Sequence, residues 1–125
     1  MSSSGKMVLL VEDNEDNRIV YSTILKHFGY EVTEALNGEE GIAKARSEKP
    51  DLILMDVVMP KMNGFEAVRH IRENVQTRGV PIVMVTSKAE AESMETGYES
   101  GCSDYIIKPI DSLELVAKVK NLLGE

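Results

Sequence analysis

Four short apolar runs each end in a polar residue of a different chemical kind. Met7 to Val11 runs into Glu12 and Asp13, and Leu52 to Met55 runs into Asp56. Ile82 to Val85 runs into Thr86 and Ser87, and Tyr105 to Ile107 runs into Lys108 and Pro109. Runs of this length, rich in Val and Ile and separated by helical periodicity, read as strands buried on both faces of a parallel sheet. A weaker run at Val32 and Thr33 marks a fifth strand, second in chain order.

Between the strands the apolar period changes to that of helices. Ile19, Val20, Thr23, Ile24, His27 and Phe28 recur at helical spacing, and Gly29 ends that segment. Asn37 with Glu40 resembles a helix start, and the helix must stop before Pro50. The loop from Pro60 to Gly64 leads into a helix expected to turn Phe65, Val68, Ile71 and Val75 inward. Ser87 with Glu90 starts a fourth helix. Asp111 with Glu114 starts a fifth, with Leu115, Val116, Val119, Leu122 and Leu123 facing the core. The pattern is therefore an α/β chain with the βα unit repeated five times. Between residues 88 and 100 the larger apolar residues are only Met94 and Tyr98. So thin a stripe predicts a weakly docked helix, because tertiary packing supplies most helical stability. A weakly held element directly after Thr86 is a place for a switch.

Composition narrows the class. The chain of 125 residues, 42% hydrophobic and 28% charged, suits one folded domain. Residues 1–6 read as a flexible leader and 7–124 as the domain. No apolar run approaches the roughly 20 residues a membrane helix needs, so no membrane insertion is expected. A net charge of −7 without a basic stripe argues against a nucleic-acid partner. The single cysteine, Cys102, cannot form an internal disulfide, which fits a reducing cytoplasmic setting.

The strand ends carry the chemistry. In an open α/β sheet, ligands bind outside the carboxyl ends of the strands. An acidic pair, a lone carboxylate, a hydroxyl and an ammonium are therefore expected on one rim. Nucleotide-binding folds place glycines in the first βα turn so that backbone can approach phosphate. Here Glu12, Asp13, Glu15 and Asp16 would repel phosphate unless a cation lies between, and Mg²⁺ suits a few carboxylates plus phosphate oxygens. The Asp13 to Asn17 stretch is not a calcium loop of the EF-hand kind: Arg18 stands at its glycine position and Ile24 at its final glutamate position. Asp56, set at the rim by a rigid strand, can act as a nucleophile toward phosphorus. Lys108, Thr86 and the cation would neutralise the transferred oxygens.

These pieces resemble those of the CheY-like receiver domains of two-component response regulators. The matching segments are Val11 to Asn14, Pro50 to Pro60, Met62 to Gly64, Val85 to Ser87 and Tyr105 to Pro109. The resemblance implies a doubly wound five-stranded parallel sheet in the order 2-1-3-4-5. It implies phosphorylation of Asp56 by a sensor histidine kinase or a histidine phosphotransfer protein. Mg²⁺ would be held by Asp13, Asp56 and the backbone carbonyl of Val58, with Glu12 acting through water. Thr86 and Lys108 would hold the phosphoryl group. Thr86 and Tyr105 would form the switch that reshapes helix 4, strand 5 and helix 5 for a downstream protein target. The Lys108–Pro109 bond would be cis. Ser87 stands where alanine is frequent in that family, and apolar Val58 stands where some relatives carry a polar residue. Two rivals are a haloacid-dehalogenase-like phosphatase and a flavodoxin-like electron carrier. Val58 occupies the acid–base position of the first, and the acidic first turn disfavours the flavin phosphate of the second.

Overall fold

The computed structural model describes residues 5–91 and 101–125. Five parallel strands form one sheet: β1 (Met7–Val11), β2 (Glu31–Ala35), β3 (Leu52–Asp56), β4 (Ile82–Thr86) and β5 (Asp104–Ile107). Their spatial order is β2-β1-β3-β4-β5, as the resemblance implies. The helices are α1 (Glu15–His27), α2 (Gly38–Glu48), α3 (Gly64–Glu73), α4 (Lys88–Ala91) and α5 (Ser112–Leu123). The remainder of the predicted fourth helix, with Met94 and Tyr98, lies outside the described residues, as do residues 1–4 of the expected leader.

Period two along the strands divides the core into two layers. Leu9, Val11, Ile53, Met55 and Met84 pack on one face against Ala45 of α2 and Ala67, Val68 and Ile71 of α3. Val8, Leu10, Leu52, Leu54, Val83, Val85 and Ile106 pack on the other against Tyr21 and Leu25 of α1 and Leu115 and Val119 of α5. Fully burying each such side chain contributes about 1.5–3 kcal/mol, offset largely by chain entropy. Both faces being covered explains why β3 and β4 are apolar throughout until their last residues.

The helix starts follow their capping residues. Asn14, Asn37 and Asn63 each accept from the backbone N–H three residues on, at 2.9, 2.8 and 2.9 Å. Ser87 and Glu90 form a reciprocal pair at the start of α4: Ser87 N donates to Glu90 Oε1 at 3.0 Å and Glu90 N to Ser87 Oγ at 3.2 Å. Asp111 caps α5 through Leu113 N at 3.1 Å. Arg72, at the end of α3, ties down the chain entering both β4 and β5: its Nη1 donates to Arg78 O at 3.0 Å and its Nε to Gly101 O at 2.8 Å.

One expectation about facing is corrected. Val75 is 71% exposed, because α3 ends at Glu73 and the extended Asn74 turns the chain outward before the helical period reaches Val75. On α1, Ile24 and Phe28 pack inward, but Ile19 and Val20 face solvent while Tyr21, Ser22 and Leu25 are buried. Tyr21 and Leu25 pack over the sheet in the places a purely apolar-stripe reading would give to Ile19 and Val20.

Candidate functional site

Backbone bonds carry the parallel ladder one step past β1, β3 and β5 and so pin the rim at three places. Glu12 N donates to Ala35 O at 3.0 Å, Val57 N to Val85 O at 3.0 Å, and Lys108 N to Thr86 O at 2.7 Å. The side chains therefore inherit their positions from the sheet, with little freedom in the loops. Glu12, Asp13 and Asp56 each bring a carboxylate oxygen to within 4.8 Å of the others. Glu12 and Asp56 are buried, and Asp13 is exposed at the mouth.

Lys108 supplies the positive charge. Its Nζ lies 3.1 Å from Asp56 Oδ1 and 3.2 Å from Oδ2, and the Val58 N–H reaches Oδ1 at 3.3 Å. Three carboxylates thus face one ammonium, and a divalent cation would neutralise the excess. A further observation fits such an ion. Glu12 Oε2 accepts from Asn14 N at 3.1 Å, but the buried Glu12 Oε1 has no hydrogen-bond partner among the described residues. An unpaired buried carboxylate oxygen is costly, and metal coordination, directly or through water, relieves that cost. Burial, with the Asp56 charge adding to it, pushes the Glu12 carboxyl up to about 7, against the opposing Asn14 N–H and Lys108 ammonium.

Thr86 is at the rim as expected, but its side chain is fully buried. Its hydroxyl is placed toward Ser87 O at 3.3 Å and Glu90 Oε1 at 3.5 Å, with no bond to Asp56. Tyr105 is half-buried and packs against the core layer of α2 and α3. Lys118 Nζ sits 5.2 Å from its ring centroid and donates to its carbonyl at 2.6 Å. Val58 is 56% exposed beside Asp56, and Lys88 is exposed after Thr86. The Lys108–Pro109 bond is cis. Cys102 is buried, and burial raises its thiol pKa, so it is no thiolate nucleophile.

Sequence reasoning overlooked Arg18. Its Nη1 donates to the carbonyls of both Glu12 and Asp13 at 3.0 Å, and its Nε lies 3.8 Å from Glu34. The guanidinium braces the turn that presents the acid pair.

A doubly wound parallel sheet with an acidic, cation-suited cleft at its carboxyl rim defines the class. The chain belongs to the response regulator receiver domain family, whose model matches residues 8–120. It is 36% identical to protein PilH of Pseudomonas aeruginosa over 117 residues, covering 94% of this chain and 97% of that protein. It is 43% identical to hybrid signal transduction histidine kinase D of Dictyostelium discoideum, covering 94% of this chain but 8% of that far longer protein. Among solved structures, the receiver domain of sensor histidine kinase PA1611 from Pseudomonas aeruginosa superimposes with a TM-score of 0.90 at 34% identity. The match covers 98% of this chain and 100% of that one, which carries a magnesium ion coordinated in its active-site cleft. The chain is thus a receiver domain of two-component signalling, and its Glu12, Asp13 and Asp56 cluster resembles the receiver magnesium site. Receiver domains are signalling proteins, so the phosphatase and flavin-carrier readings fall away. No helix among the described residues is long and apolar enough to cross a membrane.

The unpaired carboxylate gives a direct test. Adding Mg²⁺ at ten times its dissociation constant should stabilise the fold by about 1.4 kcal/mol, since it binds the folded state alone. Thermal melts with Mg²⁺, against sodium chloride at matched ionic strength, measure this. Glu12 has its folded pKa raised from 4.5 to about 7, so its contribution is fully present below 4.5 and is lost as pH rises through about 7. Metal-free protein should therefore melt lower at pH 8 than at pH 5. Glu12→Gln should flatten that slope and shrink the gain from Mg²⁺. An equal Mg²⁺ gain in this variant would remove Glu12 from the site.

Proposed function

We propose that this chain is a phosphorylation-dependent switch that accepts a phosphoryl group on Asp56. The observation that carries the reading is the convergence of Lys108 Nζ on both oxygens of a buried Asp56 carboxylate, beside two further acids. The donor is the phosphohistidine of a sensor histidine kinase or histidine phosphotransfer protein, or a small acyl phosphate. An Asp56 oxygen attacks phosphorus and a new O–P bond forms. The N–P bond of the donor breaks, and its electron pair returns to the imidazole nitrogen, which takes a proton from solvent.

Phosphoryl transfer asks a protein for positioning and charge neutralisation. Glu12, Asp13, Asp56 and the Val58 carbonyl would hold Mg²⁺, directly or through water. When bound, the ion supplies positive charge to the transferring oxygens. Lys108 moves from the carboxylate to a phosphoryl oxygen without leaving the cleft. Thr86 turns its hydroxyl inward to donate to another. The group adds about −1.5 to −2 charge, enough to draw both. Tyr105 then fills the space beside Thr86. The face formed by β5, α5 and the segment after Thr86 changes for a downstream protein. Two packings that differ by a few kcal/mol suffice for such a population shift. A cytoplasmic setting suits a kinase partner of this kind.

Intact mass spectrometry after incubation with acetyl phosphate tests the reading. One labile phosphoryl group is expected with Mg²⁺ and none after chelation. The same modification persisting in Asp56→Asn would sink the assignment.

A further inference from the structure

Thr86 has a buried hydroxyl with a single proton to give. Its relative exposure is 0%, so solvent is not an alternative acceptor. Among the described residues, the acceptors within reach are Ser87 O at 3.3 Å and Glu90 Oε1 at 3.5 Å. Glu90 does not depend on Thr86 for its place. Ser87 N donates to the same Oε1 at 3.0 Å, and Glu90 N returns a bond to Ser87 Oγ at 3.2 Å. The capping pair of α4 therefore parks a carboxylate against the hydroxyl at the end of β4.

From this geometry we propose that Glu90 is a positioning residue that holds Thr86 turned away from Asp56, and so sets how readily the site takes up a phosphoryl group. The proposal deepens the reading of Asp56 as phosphoacceptor and rests on it. Any inward turn of Thr86 must give up the Glu90 oxygen. A hydroxyl bonded to an ionised carboxylate is held more firmly than one bonded to a carbonyl. A contact of 3.5 Å is long for O–H to O, so the hold is weak and its release is worth a few-fold. The same residue couples the site to α4. Ser87 and Glu90 define the first turn of that helix, so the oxygen that restrains Thr86 also anchors the element that follows it.

Glu90→Gln separates the roles of this side chain. The amide oxygen still accepts from Ser87 N, so the cap survives, while the acceptor facing the Thr86 hydroxyl loses its charge and holds it less firmly. The experiment is a titration with beryllofluoride in Mg²⁺, followed by NMR, on wild type, Glu90→Gln, Thr86→Val and the double variant. Binding to wild type, with its loss in Asp56→Asn, tests the phosphoacceptor reading by itself. Given that binding, Glu90→Gln should tighten the apparent Kd by about 2- to 3-fold in the Thr86 background, less than the loss of a whole hydrogen bond would give. In the Thr86→Val background the same change should have no effect, because no hydroxyl is left to hold. Initial rates of phosphorylation from acetyl phosphate, read by mass, should show the same coupling even where equilibrium binding is weak. An unchanged Kd in Glu90→Gln would reduce Glu90 to a helix cap and overturn the proposal. An equal tightening in both backgrounds would overturn it as well, since it would mean that the charge repels the anion through space. Glu90→Ala removes the cap in addition, and amide exchange at residues 87–89 shows whether α4 survives. If it does, Glu90→Ala should tighten binding as Glu90→Gln does, and failure to do so counts against the proposal.

Discussion

Gly64→Ala is expected to lower the melting temperature by roughly 10 °C, from a loss of about 2–3 kcal/mol. A Cβ at this position would lie 2.4 Å from the carbonyl oxygen of Asp56, 2.7 Å from Met84 Cε and 3.0 Å from Val57 Cα. Two of these atoms are backbone, and they belong to the strand end that carries the central carboxylate. Gly64 N also donates to Val57 O at 2.8 Å, which holds the start of α3 hard against that loop. Alanine favours a helix over glycine by up to about 1 kcal/mol, so propensity alone predicts stabilisation. The steric term wins because the offended atoms cannot swing aside as the end of a flexible side chain would. Gly79→Ala is the matched control, with nothing within 4 Å of its added Cβ and no positive φ. Melts of the two variants should differ by several degrees in that direction. A Gly64→Ala protein as stable as Gly79→Ala would mean that α3 docks more loosely on the Asp56 loop than the geometry states. The same push on the Asp56 carbonyl should also weaken the response to Mg²⁺.

The strand ends were legible because burial on both faces leaves almost no choice of residue until the chain reaches the rim. In β3 every residue from Leu52 to Met55 is buried and apolar, so the change to Asp56 is abrupt. Helix starts were legible for a similar local reason: Asn37 with Glu40, and Ser87 with Glu90, satisfy backbone donors at the first turn. Facing within a helix was less legible. Ile19 and Val20 are apolar yet exposed, because α1 turns Tyr21 and Leu25 to the sheet. Nothing in the local pattern carries that fit. Side-chain direction at the rim was least legible. Thr86 stands where the chemistry asks for it, but its hydroxyl points to Ser87 and Glu90. That outcome depends on one rotamer and on a carboxylate placed by helix capping. Arg18 was missed for the same reason, since its bonds go to carbonyl oxygens that a sequence does not display.

The second large effect rests on the proposed phosphorylation of Asp56 and concerns how long the phosphoryl group stays. Val58→Asn is expected to speed decay of the Asp56 phosphoprotein about ten-fold. Hydrolysis requires water to attack phosphorus in line, opposite the Asp56 oxygen that leaves. Val58 stands two residues past Asp56, with its N–H 3.3 Å from Oδ1 and its side chain 56% exposed. Its side chain faces solvent two residues past the buried carboxylate and offers no hydrogen bond to an approaching water. General acid–base groups contribute about 10²- to 10⁴-fold when they move a proton. An asparagine amide only orients water, so the gain belongs below that range. First-order loss of the phosphorylated mass, after removal of the donor, measures it. Val58→Ala separates orientation from access: it opens the approach without adding a polar group. If orientation is what wild type lacks, Val58→Asn decays faster than Val58→Ala. If the two decay alike, bulk is the barrier, and if Val58→Asn decays no faster than wild type, Val58 does not govern the lifetime. Stability should barely move in either variant, because exposed substitutions of this kind stay within about 0.5 kcal/mol. A slow intrinsic decay would leave partners, and not water, to decide when the switch resets.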